Sequence, residues 1–154
     1  MSMPSERGFK RPESVLVVIY TRARECLLLE RAEPRGFWQS VTGSLRWGET
    51  PAECAAREVR EETGLAADGL FDARHEKIFA IFPAFRHRYA PGMEDNLEHL
   101  WYLERPAIEP VRIDAREHVG CEWLPLDAAI ARVSSWTNRE ALEKLEQWAV
   151  PRAP

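Results

Sequence analysis

Three glutamates, Glu58, Glu61 and Glu62, fall three and four residues apart within the stretch Gly43 to Leu65, GSLRWGETPAECAAREVREETGL. At about 100° per residue they share one side of a helix, while Ala52, Ala55, Ala56, Val59 and Thr63 share another. Like charges at these spacings repel, so a helix built for stability alone would not set Glu58 against both of the others. Arg57 and Arg60 lie outside the acidic arc and offset only part of its charge. A hard divalent cation held by carboxylate oxygens resolves the conflict; magnesium (Mg2+) is the natural candidate and manganese (Mn2+) its substitute. The plain alternative is a solvated acidic face, the usual explanation for a Glu-rich helix.

The helix that must carry these acids is marked at both ends. Thr50 reads as an N-cap, Pro51 fits the first helical position, Glu53 closes a capping box and Gly64 ends the helix. The whole string resembles the signature of the Nudix hydrolases: Gly, five residues, Glu, seven residues, then Arg-Glu-apolar-x-Glu-Glu-x-Gly-apolar. Gly43, Glu49, Arg57, Glu58, Val59, Glu61, Glu62, Gly64 and Leu65 occupy every fixed position of it. The resemblance implies that Glu58, Glu61 and Glu62 ligate the metal, and that Arg57 with Glu49 orients the acidic cluster. Gly43, having no side chain, lets the backbone approach phosphate or metal. Hydrolysis of a phosphoric anhydride then requires neutralised phosphate oxygens, a water in line with phosphorus and a group to take its proton.

Further segments, KRPESVLVVIY, FWQSVTGS, RHRYAP and SWTNREALEKL, are similar to the folate-pathway branch of the same family, the bacterial dihydroneopterin triphosphate diphosphatases. That likeness implies cleavage between the α and β phosphates, yielding dihydroneopterin monophosphate and pyrophosphate, with dATP or other nucleoside triphosphates as further substrates. It also implies that Glu117, in DAREHVGCEWLP, returns to the metal site as ligand or base. Read alone, Glu117 is a loop acid, and His118 a loop histidine without a paired motif.

The triphosphate and its heterocycle need partners outside the acidic helix. Arg86, His87, Arg88 and Tyr89 form the one basic cluster that stands out: arginines suit phosphate, and an aromatic ring can stack on a pterin or purine. On an extended segment Arg86 and Arg88 would face the same side. The competing reading is a solvated basic loop. Trp38 and Gln39 precede the metal loop; Gln39 can read a heterocycle edge, and Trp38 can stack or pack in the core. Trp136 and Asn138 carry the same ambiguity, since Asn138 can simply help to start a helix.

The remaining chain reads as scaffold. Strands are expected at Ser14 to Tyr20 and Cys26 to Arg31 as a hairpin, within Leu70 to Phe85, at Leu97 to Leu103 and at Glu122 to Leu124. Helices are expected at Leu126 to Val133 and at Thr137 to Trp148, the latter capped by Thr137 with Glu140 three residues on. Pattern alone gives α+β or α/β; the resemblance implies an α/β/α sandwich around a mixed sheet. The 154 residues form one domain, with 1–12 and 150–154 as loose termini.

Composition narrows the class. A net charge of −4 argues against a polymeric nucleic-acid partner but leaves room for a small anionic triphosphate held locally. Cys26, Cys54 and Cys121 are odd in number and widely spaced, and read as reduced thiols. The first residues lack the apolar core of a secretory signal, and no apolar run approaches the roughly 20 residues of a membrane helix, so a cytoplasmic protein, monomer or homodimer, is expected. Two other functions share the same helix: sanitation of ordinary or oxidised nucleoside triphosphates, and a non-catalytic binding module, which a damaged signature would favour.

Overall fold

The computed structural model describes residues 8–149. In chain order it holds β1 (Glu13–Thr21), β2 (Glu25–Arg31), β3 (Trp38–Gln39), β4 (Val41–Ser44), α1 (Pro51–Thr63), β5 (Phe71–Ala80), β6 (Asp95–Arg105), β7 (His118–Pro125), α2 (Leu126–Arg132), α3 (Trp136–Glu143) and α4 (Leu145–Trp148), with a 3-10 turn over Pro83–Arg88. The seven strands make one mixed sheet in which β1 lies parallel to β6 and antiparallel to β2 and β4. β1 is buried almost throughout because it is covered on both faces. Val15, Val17 and Ile19 pack with Leu27, Leu29 and the α1 residues Cys54, Ala55 and Val59. Leu16, Val18 and Tyr20 pack with Leu100, Tyr102 and the α2 to α4 residues Ala129, Ala141, Leu142 and Leu145. The result is the expected three-layer α/β/α sandwich.

The sheet forks where the site forms. β1 gives its Ser14–Val17 stretch to β4 and meets β2 only near the hairpin turn, at Tyr20 and Cys26. At Ser40 between β3 and β4, and at Thr42 within β4, backbone donors are taken up by side chains from the two helical layers. The Ser40 N–H donates to Asn138 Oδ1 at 2.8 Å and the Thr42 N–H to Glu62 Oε2 at 3.2 Å.

Helix α1 follows its local code. The Thr50 hydroxyl accepts from the Glu53 N–H, the Glu53 carboxylate accepts from the Thr50 N–H, and Gly64 closes the end at φ 73°. Its faces differ from the expectation: Ala52 is exposed, Cys54 packs in the core, and Glu58 and Glu62 are buried while Glu61 is not. The last helical region is also revised. Ser135, not Thr137, is the N-cap, accepting from the Asn138 N–H, and the helix breaks at Lys144 into α3 and α4.

The terminal arm is tied down in its described part. The Lys10 N–H donates to the Arg88 carbonyl, Arg11 reaches the carbonyls of Arg46 and Glu49, and the Pro12 carbonyl accepts from Leu97. Residues 10–12 are therefore ordered by partners remote in sequence, contrary to the expected loose arm; 1–7 and 150–154 lie outside the described residues.

Candidate active site

Arg57 is the hub of the acidic helix. Its guanidinium donates through Nε and Nη2 to both oxygens of Glu49, each at 2.8 Å, through Nη1 to Glu58 Oε1 at 2.6 Å and to Glu61 Oε2 at 3.2 Å, and to the Ser44 carbonyl. Expected outside the acidic arc, it in fact spans it. This paired geometry holds the Glu49 carboxyl down at about 2 and raises the Arg57 pKa. Glu49 accepts in turn from the Arg46 N–H, so the loop before α1 is locked to the helix.

Glu58 and Glu62 face a cavity of about 590 Å³ that bridges the two helical layers beside β3 and β4. Burial pushes the Glu58 carboxyl up to about 7 against the pull of Arg57. Glu62 is raised in the same direction, first by burial and then by Glu58 and Glu117. Glu117 reaches the cavity from the loop before β7, and its carboxylate, that of Glu62 and a ring nitrogen of His118 all lie within 4.8 Å of one another. Burial, with Arg31 nearby, lowers the His118 pKa to about 4, so its 3.5 Å approach to Glu62 is a contact of a neutral ring and not an ion pair. Glu61 and Glu49 stand back from the cavity lining. Glu61 is half exposed and paired with Arg57 and Arg46.

Across from the carboxylates lie cations from three distant stretches. Lys10, Arg31 and Arg88 all line the cavity. Burial lowers the pKa of Lys10 and Arg31, and repulsion from Arg88 lowers both further. The guanidiniums of Arg31 and Arg88 sit over the Phe85 ring at 4.8 and 5.5 Å. Phe37, Phe82 and Phe85 continue as edge-to-face pairs along the wall.

The expected basic cluster divides. Arg86 to Arg88 form a 3-10 turn rather than an extended segment, so Arg86 points away from Arg88 and borders a shallow depression with His87, while Arg88 and Tyr89 reach the main cavity. Gln39, Trp136 and Asn138 line the cavity as well. Trp38 does not: it packs against the α2 to α4 core, with Arg132 over its ring at 4.9 Å. Strand alternation sends it to the face opposite its neighbour Gln39.

Residues 10–148 match the NUDIX domain family. The chain belongs to the Nudix family. This Nudix chain is 41% identical over 144 residues, 90% of its length and 95% of the relative's, to the dihydroneopterin triphosphate diphosphatase of Escherichia coli strain K12. It is 38% identical over 141 residues to the protein of the same name from Haemophilus influenzae, covering 88% of each chain. The solved structure of the Escherichia coli dihydroneopterin triphosphate pyrophosphohydrolase superposes with a TM-score of 0.84 over 88% of this chain and 95% of that one. A Nudix hydrolase structure from Listeria monocytogenes, at 21% identity and a TM-score of 0.73, shares the fold.

Lys10, Arg31 and a buried His118 were not legible as site residues. Lys10 sits in an apparent tail, and Arg31 reads as the polar end of a strand. His118 carries no motif; its one signal is its place directly after Glu117 at the start of β7.

Proposed function

We propose that the chain is a divalent-metal-dependent pyrophosphohydrolase that cleaves dihydroneopterin triphosphate between its α and β phosphates, giving dihydroneopterin monophosphate and pyrophosphate, with dATP and other nucleoside triphosphates as further substrates. One observation carries it: buried carboxylates and three mutually repelling cations share a single cavity, the arrangement a metal-bound polyphosphate neutralises on both sides. The relatives that bear this activity in their names cover nearly the whole chain.

The donor set fits a hard cation. Glu58 and Glu62 are buried acids with raised pKa values, and the Glu62, Glu117 and His118 ligand atoms converge within 4.8 Å. Glu58, Glu62 and Glu117 would hold magnesium or manganese with the Gly43 backbone in reach, and Glu61, which stands outside the lining but shares Arg57 Nη1 with Glu58, would join them as a further ligand. Such an ion, when bound, supplies charge for the phosphate oxygens and acidifies water. Arg57, through Glu49 and Glu58, keeps the carboxylates aimed. Lys10, Arg31 and Arg88 bind the phosphate chain, Tyr89 and Gln39 lie beside the heterocycle, and Glu117 takes the proton of the attacking water. The whole chain acts as one catalytic domain in the cytoplasm.

The test is pyrophosphate release with magnesium from dihydroneopterin triphosphate, dATP, dGTP and 8-oxo-dGTP, ranked by kcat/KM. A lead for the pterin supports the proposal. A lead for 8-oxo-dGTP moves the function to nucleotide-pool sanitation, and no release from any substrate overturns the hydrolase reading.

A further inference from the structure

One wall of the cavity presents acceptors that face no cation. Asn96 and Glu98 stand two positions apart on β6, so their side chains leave the same face of the sheet, about 7 Å apart along the strand. Both line the cavity, and both are buried, at 2% and 7% exposure. Asn96 is fixed in orientation: its Nδ2 donates to Ser14 Oγ at 2.8 Å, which leaves Oδ1 buried with no partner among the described residues. Burial pushes the Glu98 carboxyl up to about 7, with the Thr137 hydroxyl beside it and no ammonium or guanidinium acting on it. Its cross-strand neighbour Lys77 is paired instead with Glu140 at 2.5 Å. Buried acceptors of this kind are completed in nearly all proteins, and the capacity that the Thr137 hydroxyl leaves open on Glu98, with the unpartnered Asn96 Oδ1, is completed by what the cavity binds.

We infer that Glu98 and Asn96 read the substrate heterocycle through a 2-amino-4-oxopyrimidine edge, Glu98 accepting the ring N–H and one amino hydrogen and Asn96 Oδ1 accepting the other. This deepens, and rests on, the reading of the cavity as the seat of a heterocyclic triphosphate. That edge places three N–H donors side by side, matching the two carboxylate oxygens and the one amide oxygen. Dihydropterin and guanine share it. Adenine sets a ring nitrogen lone pair where the ring N–H would be, so dATP, held chiefly through its phosphates, is the weaker substrate, and hypoxanthine lacks the amino group altogether. Trp136, half exposed on the same wall, offers a ring face for stacking. The residues lie on the α3 side of the sheet, so heterocycle choice is separate from the carboxylates of α1 that handle the phosphates.

The experiment compares dGMP with dIMP, which differ only by the 2-amino group, in calorimetric titrations at pH 8 without divalent metal, on the wild type and on Glu98→Gln. The wild type should bind dGMP at least about tenfold more tightly than dIMP, because the analogue without the donor leaves buried acceptors unpaired. In Glu98→Gln that ratio should collapse toward one, with an unchanged far-UV spectrum as the control for folding. Equal affinities in the wild type, no measurable dGMP binding at millimolar concentration, or a ratio unaltered by the substitution would each overturn the inference. Because no metal is present, discrimination that persists in a protein unable to hydrolyse any triphosphate would sink the proposed activity and leave this pocket standing.

Discussion

A β-carbon placed on Gly43 would lie 2.2 Å from the carboxyl carbon of Glu58, so this glycine is the space in which that carboxylate sits. Gly43→Ala should push the Glu58 side chain off its 2.6 Å contact with Arg57 and lower kcat/KM by about 10² or more, with the far-UV spectrum unchanged. Normal turnover in a folded alanine variant would show that the position of Glu58 is unimportant.

Arg57→Ala removes the partner of two largely buried acids, Glu49 and Glu58. A destabilisation of about 3–5 kcal/mol in urea unfolding is expected at neutral pH. The pH dependence has a defined sign. The folded Glu49 carboxyl is depressed to about 2, so its contribution is fully present above the ordinary value of 4.5 and is lost as pH falls through about 2. The gap between wild type and variant should therefore narrow below pH 4.5; a gap constant with pH would deny the coupling.

Arg88→Ala should raise the KM for a triphosphate by about tenfold or more, while Arg86→Ala should be silent, since only the first lines the cavity. Steady-state kinetics on the two variants decides it, and equal effects would return both arginines to one phosphate site.

Glu61→Gln alters a half-exposed side chain and should change stability by less than about 0.5 kcal/mol, yet lower turnover by about two to four orders of magnitude. Glu62→Gln should lose activity similarly while being at least as stable as the wild type at pH 8 without metal, because burial already disfavours the charged carboxylate. Wild-type pyrophosphate release from either would remove that residue from the metal set.

Glu98→Gln should be more stable than the wild type in mildly alkaline buffer. The folded Glu98 carboxyl is raised to about 7, so its contribution is complete below 4.5 and lost as pH rises through about 7. Thermal melts should coincide below pH 4.5 and diverge above pH 7, by at most on the order of 3 kcal/mol.

What could be read in the sequence was what local chemistry decides. The α1 caps need only neighbours within four residues, and they appear as expected. Spacing alone puts Arg57 outside the acidic arc, because its reach depends on where the loop carrying Glu49 folds back. Lys10 and Arg31 escaped because a cation cluster assembled from residues 10, 31 and 88 leaves no mark in any one window. A strand period puts Arg86 and Arg88 on one side, and the 3-10 turn undoes that period. At the last helix, Thr137 and Glu140 matched the capping-box pattern, but Ser135 takes the role while the Asn138 side chain is drawn into bonds with Ser40.

The fork in the sheet turns two nearly adjacent amides into independent gauges. The Ser40 N–H is protected by Asn138 of α3 and the Thr42 N–H by Glu62 of α1. In hydrogen–deuterium exchange each would count the detachment of one helical layer rather than the unzipping of strands, so the motions on the two sides of the sheet can be timed separately from a single peptide.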